Sequence, residues 1–298
     1  MQISSNYISL RVVKYKLMLV IETKKELKDK LSAFFSNKKS LGLVPTMGAL
    51  HSGHLSLIEK ASKENDQVIV SIFVNPTQFN NQKDLEKYPK TLENDLKVIK
   101  KASDNIIVYT PSVAEIYQSN VTAEIYNFEG LDTVMEGEFR ANHFNGVGTI
   151  VEEFLTSIAP NKAYFGEKDF QQLQIIRKLV QLKAIPVEII GCPIVREESG
   201  LAMSSRNERL SAPMRKEAAF IYKILKEAKE MFGTKSALEV VEWVENEFKN
   251  NKYLALEYFK IADIDTLKSV NKKINNKKYR AFVAVFVDDI RLIDNIAL

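Results

Sequence analysis

Leu41-Gly42-Leu43-Val44-Pro45-Thr46-Met47-Gly48-Ala49-Leu50-His51-Ser52-Gly53-His54 is the stretch on which the fold turns. The short apolar run Leu41 to Val44 closes at Pro45, and residues 53–64 then set Leu55, Leu57, Ile58 and Ala61 at mostly helical spacing. A buried strand that enters a helix through a glycine-bearing turn is the ligand-binding crevice of an open α/β sheet. His51 and His54 fall there, three apart on the first turn of the helix. Free N–H groups and the positive end of the helix dipole attract phosphate at such a place. Gly48 and Gly53 let backbone approach a ligand with no Cβ between. Two imidazoles can donate to phosphate oxygens as charge develops on them. A zinc pair and a structural turn with incidental histidines are the alternatives. Zinc as a rule takes three protein ligands, and no thiolate or third histidine lies nearby in sequence. A Walker loop and a G-x-G-x-x-G fingerprint are both absent, so an ATP site here must be built on H-x-G-H.

Outward from this stretch, strand-like and helix-like runs alternate. Val68 to Val74 is β-branched and apolar on both faces, as a central parallel strand should be. A helix over 91–102, the strand Ile106 to Tyr109, a further strand over 121–126, a helix over 148–158 and the strand Ala163 to Phe165 follow. A helix over 169–183 and the strand Val187 to Ile190 complete the series. This order implies βαβ units and a mostly parallel sheet covered on both faces. Composition shifts after 194. A loop at 196–210 precedes charged helices near 211–231 and 235–249, the latter with Val240, Trp243, Val244 and Phe248 on one side. Two strands, 254–262 and 281–287, close the chain around an Asn/Lys-rich turn. The expected division is an extension over 1–17, an α/β domain over 18–194 and a smaller α+β domain over 195–298.

Composition narrows the function classes. The chain has 298 residues, 45% of them apolar and 27% charged, enough for a sizeable core and too ordered in composition for general disorder. The net charge of +4 is mild and argues against a duplex nucleic-acid face. Lys272, Lys273, Lys277, Lys278 and Arg280 cluster without an acid and read as a solvated hairpin turn. Cys192 is the lone cysteine, so no internal disulfide or thiolate metal cluster can form, which suits a reducing compartment. Nothing reaches the roughly 18 apolar residues of a membrane span. Arg11, Lys14 and Lys16 interrupt any signal-peptide core, although the basic, acid-free opening leaves a transit peptide as a lesser reading and Met18 as an alternative start. The expectation is a soluble cytoplasmic protein.

Three further polar turns follow strand-like runs. Phe73-Val74-Asn75-Pro76-Thr77-Gln78-Phe79 offers amides that can hold a carboxylate or hydroxyl, or is an ordinary Asn-Pro turn. Phe165-Gly166-Glu167-Lys168-Asp169-Phe170-Gln171-Gln172 offers Lys168 as a point charge for phosphate, with Asp169 either capping a helix or meeting ribose hydroxyls. Gly200-Leu201-Ala202-Met203-Ser204-Ser205-Arg206-Asn207 brings two hydroxyls and a guanidinium suited to β and γ phosphates, and is the candidate lid because it spans the domain boundary. His143, the third histidine, has no diagnostic spacing and reads as a satisfied core residue.

Taken together, PTMGALHSGH (45–54), FVNPTQF (73–79), GEKDFQQL (166–173) and GLAMSSRN (200–207) resemble, in order and approximate spacing, the pantothenate synthetase (pantoate–β-alanine ligase) family of the H-x-G-H nucleotidylyltransferases. The likeness runs from about residue 18 to the end. It implies a Rossmann-like domain and an ATP-dependent condensation of (R)-pantoate with β-alanine. Pantoyl adenylate would be the intermediate, and AMP and pyrophosphate would be released. By the same resemblance, Met47, Gly48, Ala49, Leu50, His51, Ser52, Gly53 and His54 form the phosphate turn, with His54 the proton donor and His51 its partner. Gln78 and Gln172 hold pantoate, and Asn75 lines the same pocket. Gly166, Glu167, Lys168 and Asp169 contact ATP, Val195 meets adenine through its backbone, and Met203, Ser204, Ser205 and Arg206 close over the phosphates. Lys168 and Arg206 join the histidines as catalytic groups. Mg²⁺ on the phosphates is implied with no dedicated metal site, Asp95 being a candidate outer ligand, and so is a homodimer.

The chain departs from the family at Ala141-Asn142, where Pro-Gly is usual, and at Glu153, where a basic residue is common and phosphate or dimer contacts could change. Asn tolerates a left-handed backbone, so the first turn can survive. Two rivals share the His51/His54 site. One is a different nucleotidylyltransferase acting on a phosphate ester, which would not need two glutamines shaped for a short hydroxy acid. The other is a non-catalytic nucleotide sensor or RNA-binding relative, which would be expected to have lost one phosphate-handling group.

Overall fold

The computed structural model describes residues 18–35, 39–103 and 105–298, so the expected extension over 1–17 lies outside the described residues. In chain order the elements are β1 (Leu19–Ile21), α1 (Lys24–Phe35), β2 (Leu41–Thr46), α2 (Ser52–Glu64), β3 (Gln67–Ile72), α3 (Gln82–Glu86), α4 (Leu92–Ala102), β4 (Ile106–Tyr109), α5 (Val113–Tyr117), α6 (Glu136–Phe139), α7 (His143–Ile158), β5 (Lys162–Gly166), α8 (Phe170–Lys183) and β6 (Glu188–Cys192). After them come α9 (Ala212–Glu217), α10 (Phe220–Phe232), α11 (Ala237–Lys249), β7 (Leu254–Asp263), β8 (Tyr279–Val287) and β9 (Ile290–Ala297).

The first six strands form one parallel sheet in the order β1-β4-β3-β2-β5-β6. Its central strands are apolar on both faces because each face has its own core. Leu41, Leu43, Ile69 and Ile107 pack with Phe144, Val147 and Phe154 of α7. Their neighbours Val44, Val68, Val70 and Val108 pack on the other side with Leu57 and Ile58 of α2 and Leu96 and Ile99 of α4. Alternate residues of a strand point to opposite faces, so a continuous apolar run is what a sheet covered twice requires. The chain winds outward from β2 through β3 to β4 and resumes on β2's other side at β5. The switch point therefore lies between β2 and β5, and the turns at their carboxyl ends face one crevice.

The remaining strands make an antiparallel sheet, β7-β8-β9, whose core is shared with α10 and α11. Among the described residues no helix is long and apolar enough to cross a membrane.

Several expectations need correction. Residues 121–126 belong to no strand of either sheet. The N–H groups of Glu124 and Tyr126 instead meet Thr149 and Asn145 of α7, at 2.8 and 3.1 Å. Helix α7 begins at His143, five residues before the expected start, because Asn142 (φ 61°) turns the chain into it. The helix expected over 211–231 breaks at Ala218–Ala219, where Ala219 N–H reaches back three residues to Lys216 O, at 3.3 Å. The expected loop at 196–210 holds a 3₁₀ turn at Ser205–Arg209. β1 and β9 were not expected. β1 is three residues long, and β9 carries Arg291, Asp294 and Asn295, which spoil its apolar pattern yet are partnered by other side chains. Arg280 leaves the solvated lysine turn altogether. It is buried over the Phe170 ring, 4.1 Å from its centroid, and paired with Glu167 at 3.1 Å.

Candidate active site

At the end of β2 the backbone turns through Gly48 (φ 82°) and Ala49 (φ 51°) into α2. Buried Asp95 of α4 holds this left-handed stretch, accepting from Ala49 N at 3.1 Å, Leu50 N at 2.7 Å and Thr91 Oγ1 at 3.2 Å. A Cβ on Gly48 would sit 3.1 Å from that carboxylate, so glycine is needed for conformation and for space.

His51 is the N-cap of α2. Its Nδ1 accepts from Gly53 N at 3.1 Å, and His54 Nδ1 accepts from His51 N at 3.3 Å, which closes a capping box made of two imidazoles. With Nδ1 accepting in each ring, the proton of the neutral form sits on Nε2 in both. The ring centroids are 4.1 Å apart, and a Cβ on Gly53 would come within 2.9 Å of the His51 ring. Burial, and then the charge of Lys168, lowers the His51 pKa to about 4. Burial, the neighbouring His51 and Lys168 lower that of His54 to about 3. Both rings are thus neutral N–H donors at the positive end of a helix.

The turn after β3 supplies Gln78. Its Nε2 donates to Met47 Sδ at 2.8 Å, and its Oε1 accepts from Asn75 Nδ2 at 3.2 Å. Asn75 lies behind the wall, bonded to Gly146 O at 2.9 Å and to the Tyr117 hydroxyl. Buried His143 meets the Gln78 carbonyl through Nδ1 at 2.8 Å, as a satisfied core histidine. At the end of β5, Lys168 Nζ stands 3.8 Å from Asp169 Oδ1, and Asp169 makes no capping hydrogen bond.

The fourth segment packs against the histidine turn. Ser205 Oγ donates to Ala49 O at 3.1 Å, Ser52 Oγ to Met203 Sδ at 3.3 Å, and Met203 N to Val195 O at 3.0 Å. Arg206 is paired with Asp84 of α3 at 3.1 Å.

A cleft of about 230 Å³ brings together Met47, His51, Gly53, His54, Gln78, Gly166, Lys168, Asp169, Gln172, Val195 and residues 203–206. The other expected site residues do not line it. Gly48, Ala49, Leu50 and Ser52 form the turn that holds the histidines, and Asn75 supports Gln78 from behind. Glu167 is turned toward Arg280. Asp95 is not free as an outer metal ligand, because backbone N–H groups and Thr91 engage its carboxylate. Glu153 meets Lys24 at 2.8 Å. Sequence reasoning missed Tyr88, which lines the cleft beside Ser205 and Arg206. It also missed the apolar wall Pro193-Ile194. Tyr88 sits in a polar stretch with no motif, and only its closeness to Pro89 marks a turn.

Comparison with known proteins identifies the family. The family model described as pantoate-beta-alanine ligase matches residues 19–297. Pantothenate synthetase of Christiangramia forsetii is 60% identical over 281 residues, covering 94% of this chain and 99% of that one. The enzyme of Flavobacterium psychrophilum is 53% identical, covering 94% and 100%. Among solved structures, pantothenate synthetase from Thermus thermophilus superposes with a TM-score of 0.85 at 36% identity, covering 94% and 99% of the two chains. The pantoate-beta-alanine ligase of Francisella tularensis, complexed with beta-gamma ATP and beta-alanine, gives 0.76 at 36% identity, covering 94% and 97%. By sequence over nearly its whole length and by fold, this chain belongs to the pantoate–β-alanine ligase family.

Proposed function

We propose that the cleft between β2 and β5 runs both halves of the ligase reaction, with His51, His54, Lys168 and Arg206 on the phosphates and Gln78 and Gln172 on pantoate. The reaction is the family's: ATP and pantoate give pantoyl adenylate and pyrophosphate, and β-alanine then gives pantothenate and AMP. In the first half, a pantoate carboxylate oxygen bonds to the α-phosphorus as the bond to the bridging oxygen breaks. Negative charge grows on the departing pyrophosphate, where two Nε2–H donors, a helix N-terminus and two cations can stabilise it. In the second half, the amine of β-alanine attacks the acyl carbon, AMP leaves, and the amine gives up a proton. No covalent bond to the protein is required, so the protein's contribution is alignment and fixed charge.

The observation that carries this reading is the double-imidazole capping box, which locks both rings as neutral Nε2–H donors beside Lys168. In the same reading Val195 and residues 203–206 cover the nucleotide, Asp169 faces ribose, and the segments 18–194 and 195–298 act as the two sides of the cleft. Mg²⁺ belongs to the proposal as an ion carried by the nucleotide. Among the described residues no three His, Cys, Asp or Glu groups converge to cage a cation, and Mg²⁺ is commonly held by substrate phosphates and water. When bound it neutralises phosphate charge.

A homodimer is supported by the 121–126 segment. Inward N–H groups at Glu124 and Tyr126 alternate with Ile125, which is 89% exposed, so one edge of an extended chain faces outward. A cytoplasmic setting fits Cys192, a buried free thiol whose pKa burial pushes up to about 11.

The test is ATP–pyrophosphate exchange with Mg²⁺ and pantoate, omitting β-alanine, beside His54→Ala. Pantoate-dependent exchange that disappears in the variant is expected. A folded, ATP-binding protein with no exchange would overturn the adenylation role of this cleft.

A further inference from the structure

Strand β9 carries two adjacent buried polar residues, Asp294 and Asn295, and each holds a different wall of the cleft. Asn295 Nδ2 donates to two successive carbonyls, Glu167 O at 2.9 Å and Lys168 O at 2.8 Å. Its Oδ1 accepts from Arg280, which in turn pairs with Glu167 Oε2 at 3.1 Å. The backbone of the turn that presents Lys168 is therefore gripped from the antiparallel sheet.

Asp294 receives both arms of Arg196, at 2.6 and 3.0 Å. Arg196 stacks on Tyr222 with its guanidinium 3.7 Å from the ring centroid and donates to Gly200 O at 3.1 Å. It also starts the small bridge Arg196↔Ala202, from which Met203 to Arg206 lead into the cleft. A charged pair this shielded is weak evidence for stability, since apolar replacements of similar volume are often neutral or stabilising. What the pair does secure is geometry, because a bidentate carboxylate–guanidinium contact fixes direction as well as distance.

We propose that Asp294 and Asn295 are positioning residues for adenylation: neighbouring positions on one strand set the spacing between the Lys168 turn and the Ser204–Arg206 segment. Neither lines the cleft. Their effect is to keep the two cationic walls at the separation that a triphosphate spans. A misplacement of about 1 Å at such groups costs on the order of 100-fold in rate. The inference rests on the reading of Lys168 and Arg206 as phosphate ligands.

Asn295→Asp, nearly isosteric, abolishes both donations and sets a carboxylate against two carbonyls. Asp294→Asn weakens the hold on Arg196 without changing shape. Each variant, and Lys168→Ala in parallel, is assayed in the two half-reactions separately. One assay is pantoate-dependent ATP–pyrophosphate exchange, and the other is the conversion of supplied pantoyl adenylate and β-alanine to pantothenate. Asn295→Asp should lower kcat/KM for ATP in exchange by about 10- to 100-fold, mostly through KM, and leave adenylate consumption within about twofold. Asp294→Asn should show the same split more weakly. Thermal unfolding checks that the variants are folded; should Asn295→Asp fail to fold, Asp294→Asn carries the same comparison. Equal losses in both halves would reduce the pair to a structural role and overturn the proposal, as would unchanged exchange. If Lys168→Ala leaves exchange intact, the phosphate reading fails. If Lys168→Ala impairs exchange and the β9 variants do not, only the positioning proposal fails.

Discussion

Arg206 is held by Asp84, guanidinium to carboxylate at 3.1 Å, at the edge of the cleft. Arg209 reaches the same carboxylate at 3.4 Å, so α3 is tied to the Ser-Ser-Arg segment through one acid. A phosphate bound at Arg206 must compete with Asp84. Both partners are partly exposed, and such pairs contribute about 0.2–1 kcal/mol. Asp84→Asn should therefore lower KM for ATP by up to about fivefold while changing stability by less than about 1 kcal/mol. Steady-state ATP titrations decide it: a raised KM would mean that Asp84 aims Arg206 at the phosphates.

Buried neutral histidines make stability depend on acid. Burial, then the charge of Arg140, lowers the His143 pKa to about 3, and His54 lies at a similar value. As the pH falls below 6.5 the unfolded chain takes up these protons and the folded one does not, so stability present above pH 6.5 drains away toward pH 3. Each such group costs about 2 kcal/mol by pH 5. His143→Gln removes one contribution. Its urea midpoint should fall less steeply between pH 7 and pH 5 than the parent's, and parallel curves would contradict the assignment.

Asp95 accepts two N–H donors from the strained turn and one from Thr91. Hydrogen bonds to a charged group are worth about 1.5–3 kcal/mol each, so Asp95→Ala, which removes three, should destabilise the fold by at least about 3 kcal/mol and depress adenylation. The Mg²⁺ concentration giving half-maximal activity should not move. A several-fold increase in that concentration would restore Asp95 as an outer ligand.

The sheet was legible because its strands are buried on both faces and need no partner to declare themselves, Val68 to Val74 being the clearest. The histidine turn was legible because its contacts are local, His51, Gly53 and His54 interacting within three residues of one another. Long-range partners were not. Asp95 reads as any acid in a charged helix until Ala49 and Leu50 are placed against it, and Arg280 reads as one more cation in a lysine turn until Glu167 is beside it. Strand β9 was hidden for the same reason, since its polar residues are buried through partners distant in sequence, Arg196 for Asp294 and the Glu167-Lys168 backbone for Asn295 among them.

If the outward edge at 121–126 pairs with a second copy, a charge at its most exposed apolar position should prevent it. Ile125 is 89% exposed, so Ile125→Asp should leave folding unaffected. Sedimentation should then show a dimer for the parent chain and a monomer for the variant. A dimer in both would move the interface elsewhere.

Two glycines separate packing from ligand space. A Cβ on Gly146 would lie 2.4 Å from Thr77 O and 2.7 Å from Gln78 N, so α7 and the turn carrying Gln78 meet there backbone to backbone. Gly146→Ala must push that turn away, at about 1–3 kcal/mol for an overpacked contact, and carry Gln78 off its position. Gly166 lines the cleft with an ordinary φ of −75°, and a Cβ there would meet nothing within 4 Å. Gly166→Ala should be as stable as the parent or gain about 0.4–1 kcal/mol from a stiffer unfolded chain. Its methyl group would nevertheless occupy the space assigned to ATP, so KM for ATP should rise while the melting temperature holds. Loss of both stability and affinity in Gly166→Ala would show that the open space beside Lys168 serves the fold and not the nucleotide.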